Sequence, residues 1–386
     1  MRRGIQFIPE THPLHRLSES LTESLIRAQE ERFEKQFRTS GDVCERVLDD
    51  LRITVKIPDA LKDQSATSLA DEPLPKLRQF FCSLLKSAGI PRQAITLQAL
   101  NLAQRTHLIR AFSQPDEAVR LIEEKVLQIV ASFPQSAKDL ERGKNPGDVL
   151  DPYILAATQH LLFGGKLDLA VGAAVSHKAL MMIEGLMGHL HEDVIGRMRG
   201  NVRAPEPRGG EQEELHLELN PFPGADVVQP PASRRESIRF HQIKSKTGSA
   251  KGGDGKRLGD QLRKLQAHYG GEIYYDALIG NTLKGHRSRA GVERAAPTVV
   301  VLVGDAAFRE LTRSPIGAEL LLRVYQSAFL EASQKAGYRI EEMTAAIVAT
   351  FQERAQDRKD GFLESILRDV TEGPPEQQDS RCRPQV

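Results

Sequence analysis

Apolar positions recur at helical spacing through residues 14–146, as in Leu17, Leu21, Leu25, Phe33 and Phe37, with Ser40 and Asp116 placed to cap segment starts. This half is predicted to be all-α. Within it, residues 58–75 carry three prolines among Ser and Asp and read as a connector, and residues 88–93 read as a packing turn between two helices. A second helical stretch covers residues 151–199. It is broken at Gly164-Gly165, and its later part repeats Val175, Met182, Leu186 and Leu190 along one face.

The pattern then changes. After a Pro/Gly/Glu loop at 205–212 come short runs with two-residue alternation or β-branched content, at 215–219, 226–229 and 238–246. These are predicted to be three consecutive antiparallel strands. A Gly-rich connection at 247–255 leads to a helix at 256–268 with Leu258, Leu262 and Leu265 on one face, then to strands at 272–279 and 298–303. The segment between those two strands, 281–297, reads as loop because it is rich in Gly, Arg and His. Helices at 315–336, 340–355 and 361–370 close the pattern before a polar tail. The expected fold class is α/β, a mixed central sheet flanked by helices with an all-α N-terminal domain. The expected division is 1–150, 151–372 and a disordered tail at 373–386.

Composition narrows the function classes without choosing one. The chain has 386 residues, 40% of them hydrophobic, enough for a full core and about two domains. With 53 Lys and Arg against 52 Asp and Glu, any attraction for nucleic acid must be local. Cys44, Cys82 and Cys382 fit neither a disulfide framework nor a zinc module, so a reducing cytoplasm is expected. Met1-Arg2-Arg3 is not followed by an apolar run. The most apolar stretch, 167–190, is interrupted by Asp168, His177, Lys178, Glu184 and His189, so no membrane span is expected.

The candidate chemistry lies at Pro223-Gly224-Ala225-Asp226 and at Gln242-Ile243-Lys244. An acid opens one strand, and alternation on the next points Gln242 and Lys244 to one face while Ile243 points to the core. If the two strands are hairpin neighbours, Asp226, Gln242 and Lys244 converge. A hard divalent cation takes oxygen ligands, here the Asp226 carboxylate, the Gln242 amide oxygen and the Ile243 carbonyl. Lys244 can hold or deprotonate a water and offset charge in a phosphodiester transition state.

This arrangement resembles the PD-(D/E)XK nuclease superfamily, which includes many type II restriction endonucleases, in the Mrr-like form with glutamine at the second acid. The resemblance covers residues 180–305. It implies a restriction-endonuclease-like core, Mg²⁺ as cofactor, and a helix ahead of the first strand that supplies another acid. Glu192 is the expected acid and Glu184 its rival. The literal Pro-Asp is here Pro-Gly-Ala-Asp, and the neutral Gln242 removes one charge from the site.

Ten Lys and Arg between Arg234 and Lys264 face three acids, which makes a local cationic stripe. Lys246, Ser249, Lys251, Lys256 and Arg257 are candidates for phosphate contacts near a helix N-terminus, and Lys284, Arg287 and Arg289 for a DNA groove. The expectation is a cytoplasmic, Mg²⁺-dependent endonuclease cutting double-stranded DNA. By resemblance it is a homodimeric type II restriction enzyme with a cognate DNA methyltransferase. The alternatives are a nuclease for modified or structured DNA and a non-catalytic DNA-binding module of the same fold. His189 and His191, two residues apart on a helix, face different ways, and at least one is expected to serve packing.

Overall fold

A computed structural model describes residues 4–141, 151–206, 215–246, 254–280, 288–336 and 361–371, with scattered positions between 345 and 359. The helical first half comprises α1 (Glu19–Glu30), α2 (Phe33–Gln36), α3 (Ser40–Asp50), α4 (Ala66–Ala70), α5 (Leu74–Ser87), α6 (Arg92–Ala111) and α7 (Pro115–Glu141). Local chemistry sets several of these boundaries. Thr39 and Asp42 close a reciprocal capping box on α3. Gly89, at φ 76°, follows α5 and turns the chain toward α6. The break at Gly164-Gly165 separates α8 (Pro152–Leu161) from α9 (Leu167–Ile195).

Five strands form one sheet in sequential order: β1 (Val202–Arg203), β2 (Val227–Gln229), β3 (Arg239–Lys246), β4 (Glu272–Ile279) and β5 (Val300–Val303). The first two pairings are antiparallel and the last two parallel. The parallel step from β3 to β4 is made through α10 (Asp254–Tyr269), because a parallel neighbour needs a crossover. The chain is thus mixed α/β, with helices flanking a mixed sheet.

One strand expectation and one loop expectation need correction. The 215–219 run is a turn closed by a two-way backbone pairing of His216 with Asn220 at 2.9 and 3.0 Å. Its alternating Leu215 and Leu217 both pack against the core, so alternation here reports burial without a ladder. The third antiparallel strand is instead β1, too short for periodicity to reveal. Part of the 281–297 segment is also helical, as α11 (Arg289–Ala295), with Val292 and Ala296 fully buried. A further helix, α12 (Asp305–Thr312), precedes α13 (Gly317–Ala336). Of the expected 340–355 helix, only scattered positions are described.

Contacts divide the chain into two compact units, 1–122 with 188–329, and 123–187 with 330–386, whereas the sequence pattern had suggested a boundary at 150. In the first unit, Leu14, Leu21 and Leu25 share a core with Val228, Phe240, Leu262 and Tyr275, so the N-terminal helix packs on the sheet's own core. Phe222, Phe240 and Tyr269 meet there with ring centroids 5.6 to 5.7 Å apart. Residues 33–109 build a second core around Phe33, Phe81 and Leu102. On the other sheet face, His241 and Asp276 are fully buried and pair at 2.8 Å across β3 and β4. The His241 ring stacks on Tyr274 at 4.6 Å.

The second unit has a small core of Leu155, Ala170, Val171, Val175 and Ile366, with Phe362 of a last helix, Phe362–Thr371, packed on it. By length and composition alone, α9 is apolar enough to cross a membrane, with a mean hydropathy of 1.3 in its most apolar window. The polar interruptions read from the sequence had argued against this. Its last turns bury Leu190, Val194 and Ile195.

Gly259 shows how closely α10 and α11 approach. A Cβ there would lie 2.7 Å from both the Ala295 Cβ and the Val292 carbonyl oxygen. Gly259→Ala is therefore expected to cost about 1–3 kcal/mol by overpacking, read as a lower denaturant midpoint with an unchanged slope.

Candidate functional site

The turn before β2 sets the site. Gly224 has φ 81°, and a Cβ on it would come 2.8 Å from the Gln261 Cβ of α10, so glycine alone permits this turn to lie on that helix. The next residues enter the ladder: Asp226 N–H donates to the His241 carbonyl at 2.7 Å, and the Asp226 carbonyl accepts from Ala204 N–H at 2.9 Å. With its backbone held on both sides, the Asp226 side chain turns to β3. Its Oδ2 accepts from the Ile243 backbone N–H at 2.7 Å and from the Gln242 side-chain Nε2 at 2.5 Å.

Strand alternation works as expected on β3. Ile243 is buried, and Gln242 and Lys244 share the other face. Gln242 is itself only 3% exposed, so its amide is covered by neighbouring groups. Its amide serves Asp226 as a donor here, rather than presenting its oxygen to a cation. Ile243 contributes its N–H to Asp226, while its carbonyl oxygen lies 3.5 Å from the Gln242 Nε2. Burial raises the Asp226 pKa, opposed by the Lys244 charge, the Ile243 N–H and Arg203.

Glu192, on the last turns of α9, lies where its charge acts on Asp226. Its Oε2 accepts from Arg203 Nη2 at 2.6 Å, and Arg203 Nη1 in turn donates to the Asp226 carbonyl at 2.9 Å. Burial and the Asp226 charge push the Glu192 carboxyl up to about 8, while Arg203 and Lys244 pull it down. Glu184, the rival, is exposed. His191 is a packing residue. Its Nδ1 lies 2.9 Å from the Tyr325 hydroxyl, and burial lowers its pKa to about 4.

Four residues not predicted for the site, Arg203, Asp193, Glu206 and His189, lie at it. Arg203 bridges Glu192 and Glu206 through Nη2, both at 2.6 Å, and reaches Asp193 through Nε at 3.2 Å. His189, Glu192 and Glu206 can place one ligand atom each within 4.8 Å of one another. The i,i+3 spacing of His189 and Glu192 was a readable signal, because such residues share a helix face. Arg203 and Glu206 left none, since β1 is two residues long.

The donor set suits a hard divalent cation. Glu192, Asp193, Glu206 and Asp226 are gathered around Arg203, and burial, with the Asp226 charge second, raises the Glu192 pKa against the pull of Arg203 and Lys244. The expected DNA contacts are placed less favourably. Lys256 pairs with Asp260 at 2.7 Å, Arg257 with Asp254 at 3.6 Å and Arg289 with Glu293 at 2.8 Å, each within its own helix. Arg239, counted in the cationic stripe, is held by Glu272 and Glu310. Lys246 ends β3 opposite Ile279. Ser249, Lys251, Lys284 and Arg287 lie outside the described residues.

Comparison with protein-family models and with curated proteins returned no match to this chain.

The Glu192 shift has a direct consequence for stability. With its folded pKa near 8 and its unfolded value near the ordinary 4.5, the folded chain keeps a proton that the unfolded chain has lost. Stability is therefore full below the unfolded value and is lost as pH rises through the folded one. His191, shifted down to about 4, acts in the opposite sense and only below its ordinary 6.5. In EDTA, the melting temperature should fall between pH 6.5 and 8 and level off above. Glu192→Gln, which cannot ionise, should flatten that slope.

Proposed function

We propose that this protein is a Mg²⁺-dependent endonuclease that hydrolyses phosphodiester bonds of double-stranded DNA, with a restriction-endonuclease-like core. The observation that carries the reading is the Asp226 carboxylate held by Ile243 N–H and Gln242 on the neighbouring strand, with the Glu192 carboxyl and the Lys244 charge close enough to act on it and on each other. The strand order supports it as well. An antiparallel β1–β2–β3 segment joined through a crossover helix to parallel β4 and β5 puts the acid immediately before β2 and the Gln-x-Lys on the adjacent β3.

Asp226 and Glu192 would hold the cation, with Glu206 and His189 near enough to add ligands. A divalent cation bound there supplies charge neutralisation at the phosphate and lowers the pKa of a water. Gln242 fixes the orientation of the Asp226 carboxylate. Lys244 brings an ammonium to the same face, where it can orient the attacking water and offset the charge that develops on the phosphate oxygens. The buried His241–Asp276 pair tethers β3 to β4 behind the site, which keeps Gln242 and Lys244 in register.

Sequence-specific cleavage of the type II kind, action as a homodimer and pairing with a DNA methyltransferase extend this reading through the family resemblance. A two-fold dimer would present two such sites to the two strands of a palindrome.

Incubating plasmid and phage DNA with the protein in Mg²⁺ should give discrete fragments, and EDTA should abolish them. Lys244→Ala and Asp226→Ala should each lower the cleavage rate by roughly 10²-fold or more while the protein stays folded. Retention of DNA in a gel-shift assay with no cutting under any metal condition would point to a non-catalytic binding module instead. Full Mg²⁺-dependent cleavage by Glu192→Ala would remove Glu192 from the site.

A further inference from the structure

Arg203 occupies the centre of the acidic cluster. Its guanidinium reaches Glu192 and Glu206 at 2.6 Å and Asp193 at 3.2 Å, donates to the Asp226 carbonyl at 2.9 Å and lies 4.0 Å from the Asp226 carboxylate. The side chain is 19% exposed, so these carboxylates and not water provide most of its surroundings. Its backbone is pinned as well. A Cβ at Gly196, just past α9, would lie 2.7 Å from the Arg203 Cβ, and β1 pairs Arg203 with Val227 beside Asp226. The end of α9 and the start of the sheet are thus brought together at this residue.

We infer that Arg203 is the resting counter-cation of the site and that a divalent cation enters by displacing its guanidinium from Glu192 and Asp226. The inference rests on the metal reading proposed above. The physical argument is one of competition. Two of the carboxylates that would ligate a cation, Glu192 and Glu206, accept from Arg203, whose charge also lies 4.0 Å from the Asp226 carboxylate, and the Glu192 oxygen engaged by the guanidinium is lost to a metal. A divalent ion among these groups would also lie within a few ångströms of a fixed positive charge, and that repulsion is strong in a recess sheltered from water. The guanidinium stays charged at all working pH values, so it leaves by movement of its long side chain and not by losing a proton. Arg203 is in this sense a positioning residue that sets the affinity of the site for metal.

The test is Mn²⁺ binding to the full chain without DNA, followed by calorimetry or electron paramagnetic resonance, for the wild-type protein, Arg203→Met and Arg203→Lys. Displacement predicts that Arg203→Met binds Mn²⁺ about tenfold or more tightly, with Arg203→Lys between it and the wild type. Equal or weaker binding by Arg203→Met, beside clear binding by the wild type, would overturn the displacement role and leave the metal reading standing. Absence of Mn²⁺ binding in all three proteins would overturn the metal reading and this inference with it. Should Arg203→Met fail to fold, the wild-type chain supplies its own measurement through modification by phenylglyoxal, mapped by peptide mass. Mg²⁺ should raise the rate at Arg203 severalfold, and an unchanged rate at a Mg²⁺ concentration that saturates binding would sink the idea.

Discussion

The hydrogen bond from the Ile243 backbone N–H to Asp226 Oδ2, 2.7 Å long, ties the first acid of the site to the strand that carries the other two polar groups. A backbone donor is a rigid partner, since β3 is held by β2 on one side and β4 on the other. The carboxylate therefore cannot turn away without breaking a bond in the interior. Gln242 adds a second donor to the same oxygen, which makes the neutral residue at this position a support for the acid. Everything else at the site is arranged around a carboxylate whose place is settled by main chain.

Charge balance is the second constraint. Burial of Glu192 beside Asp226 is costly, and Arg203 and Lys244 offset part of that cost. On the nuclease reading proposed above, a divalent cation would offset more of that cost. The cations expected to contact DNA behave differently. Lys256, Arg257 and Arg289 pair with acids one turn away on their own helices, and exposed pairs of that kind are weak enough to exchange for a phosphate partner.

The architecture serves this site by joining segments distant in sequence. The N-terminal helix packs into the sheet's core, and Gln29 donates to the Pro231 carbonyl at 2.9 Å just beyond β2. Arg199, after α9, donates to the carbonyls of Ile109 and Glu31 at 2.8 and 2.7 Å. Asn201 links the Ile195 and Leu311 carbonyls and accepts from Gln229 at 2.9 Å. These buried polar contacts fix the α9-to-β1 passage, which in turn sets where Glu192 and Arg203 meet.

The amino-acid sequence by itself determined most helical spans, the glycine break between α8 and α9, the strand that follows Asp226 and the one that carries Gln242 to Lys244, and the shared face of Gln242 and Lys244. Those features depend on local periodicity and turn chemistry, which neighbouring residues carry. The tertiary structure alone decided that 215–219 is a turn, that Val202 and Arg203 form the first strand, and that residues 289–295 fold as a helix against Gly259. It also decided that Arg203 and Glu206 join Glu192 and Asp226, and that the Gln242 amide faces Asp226 as a donor. A two-residue strand has no period to read, and the company of a charged side chain is set by long-range packing that no local pattern records.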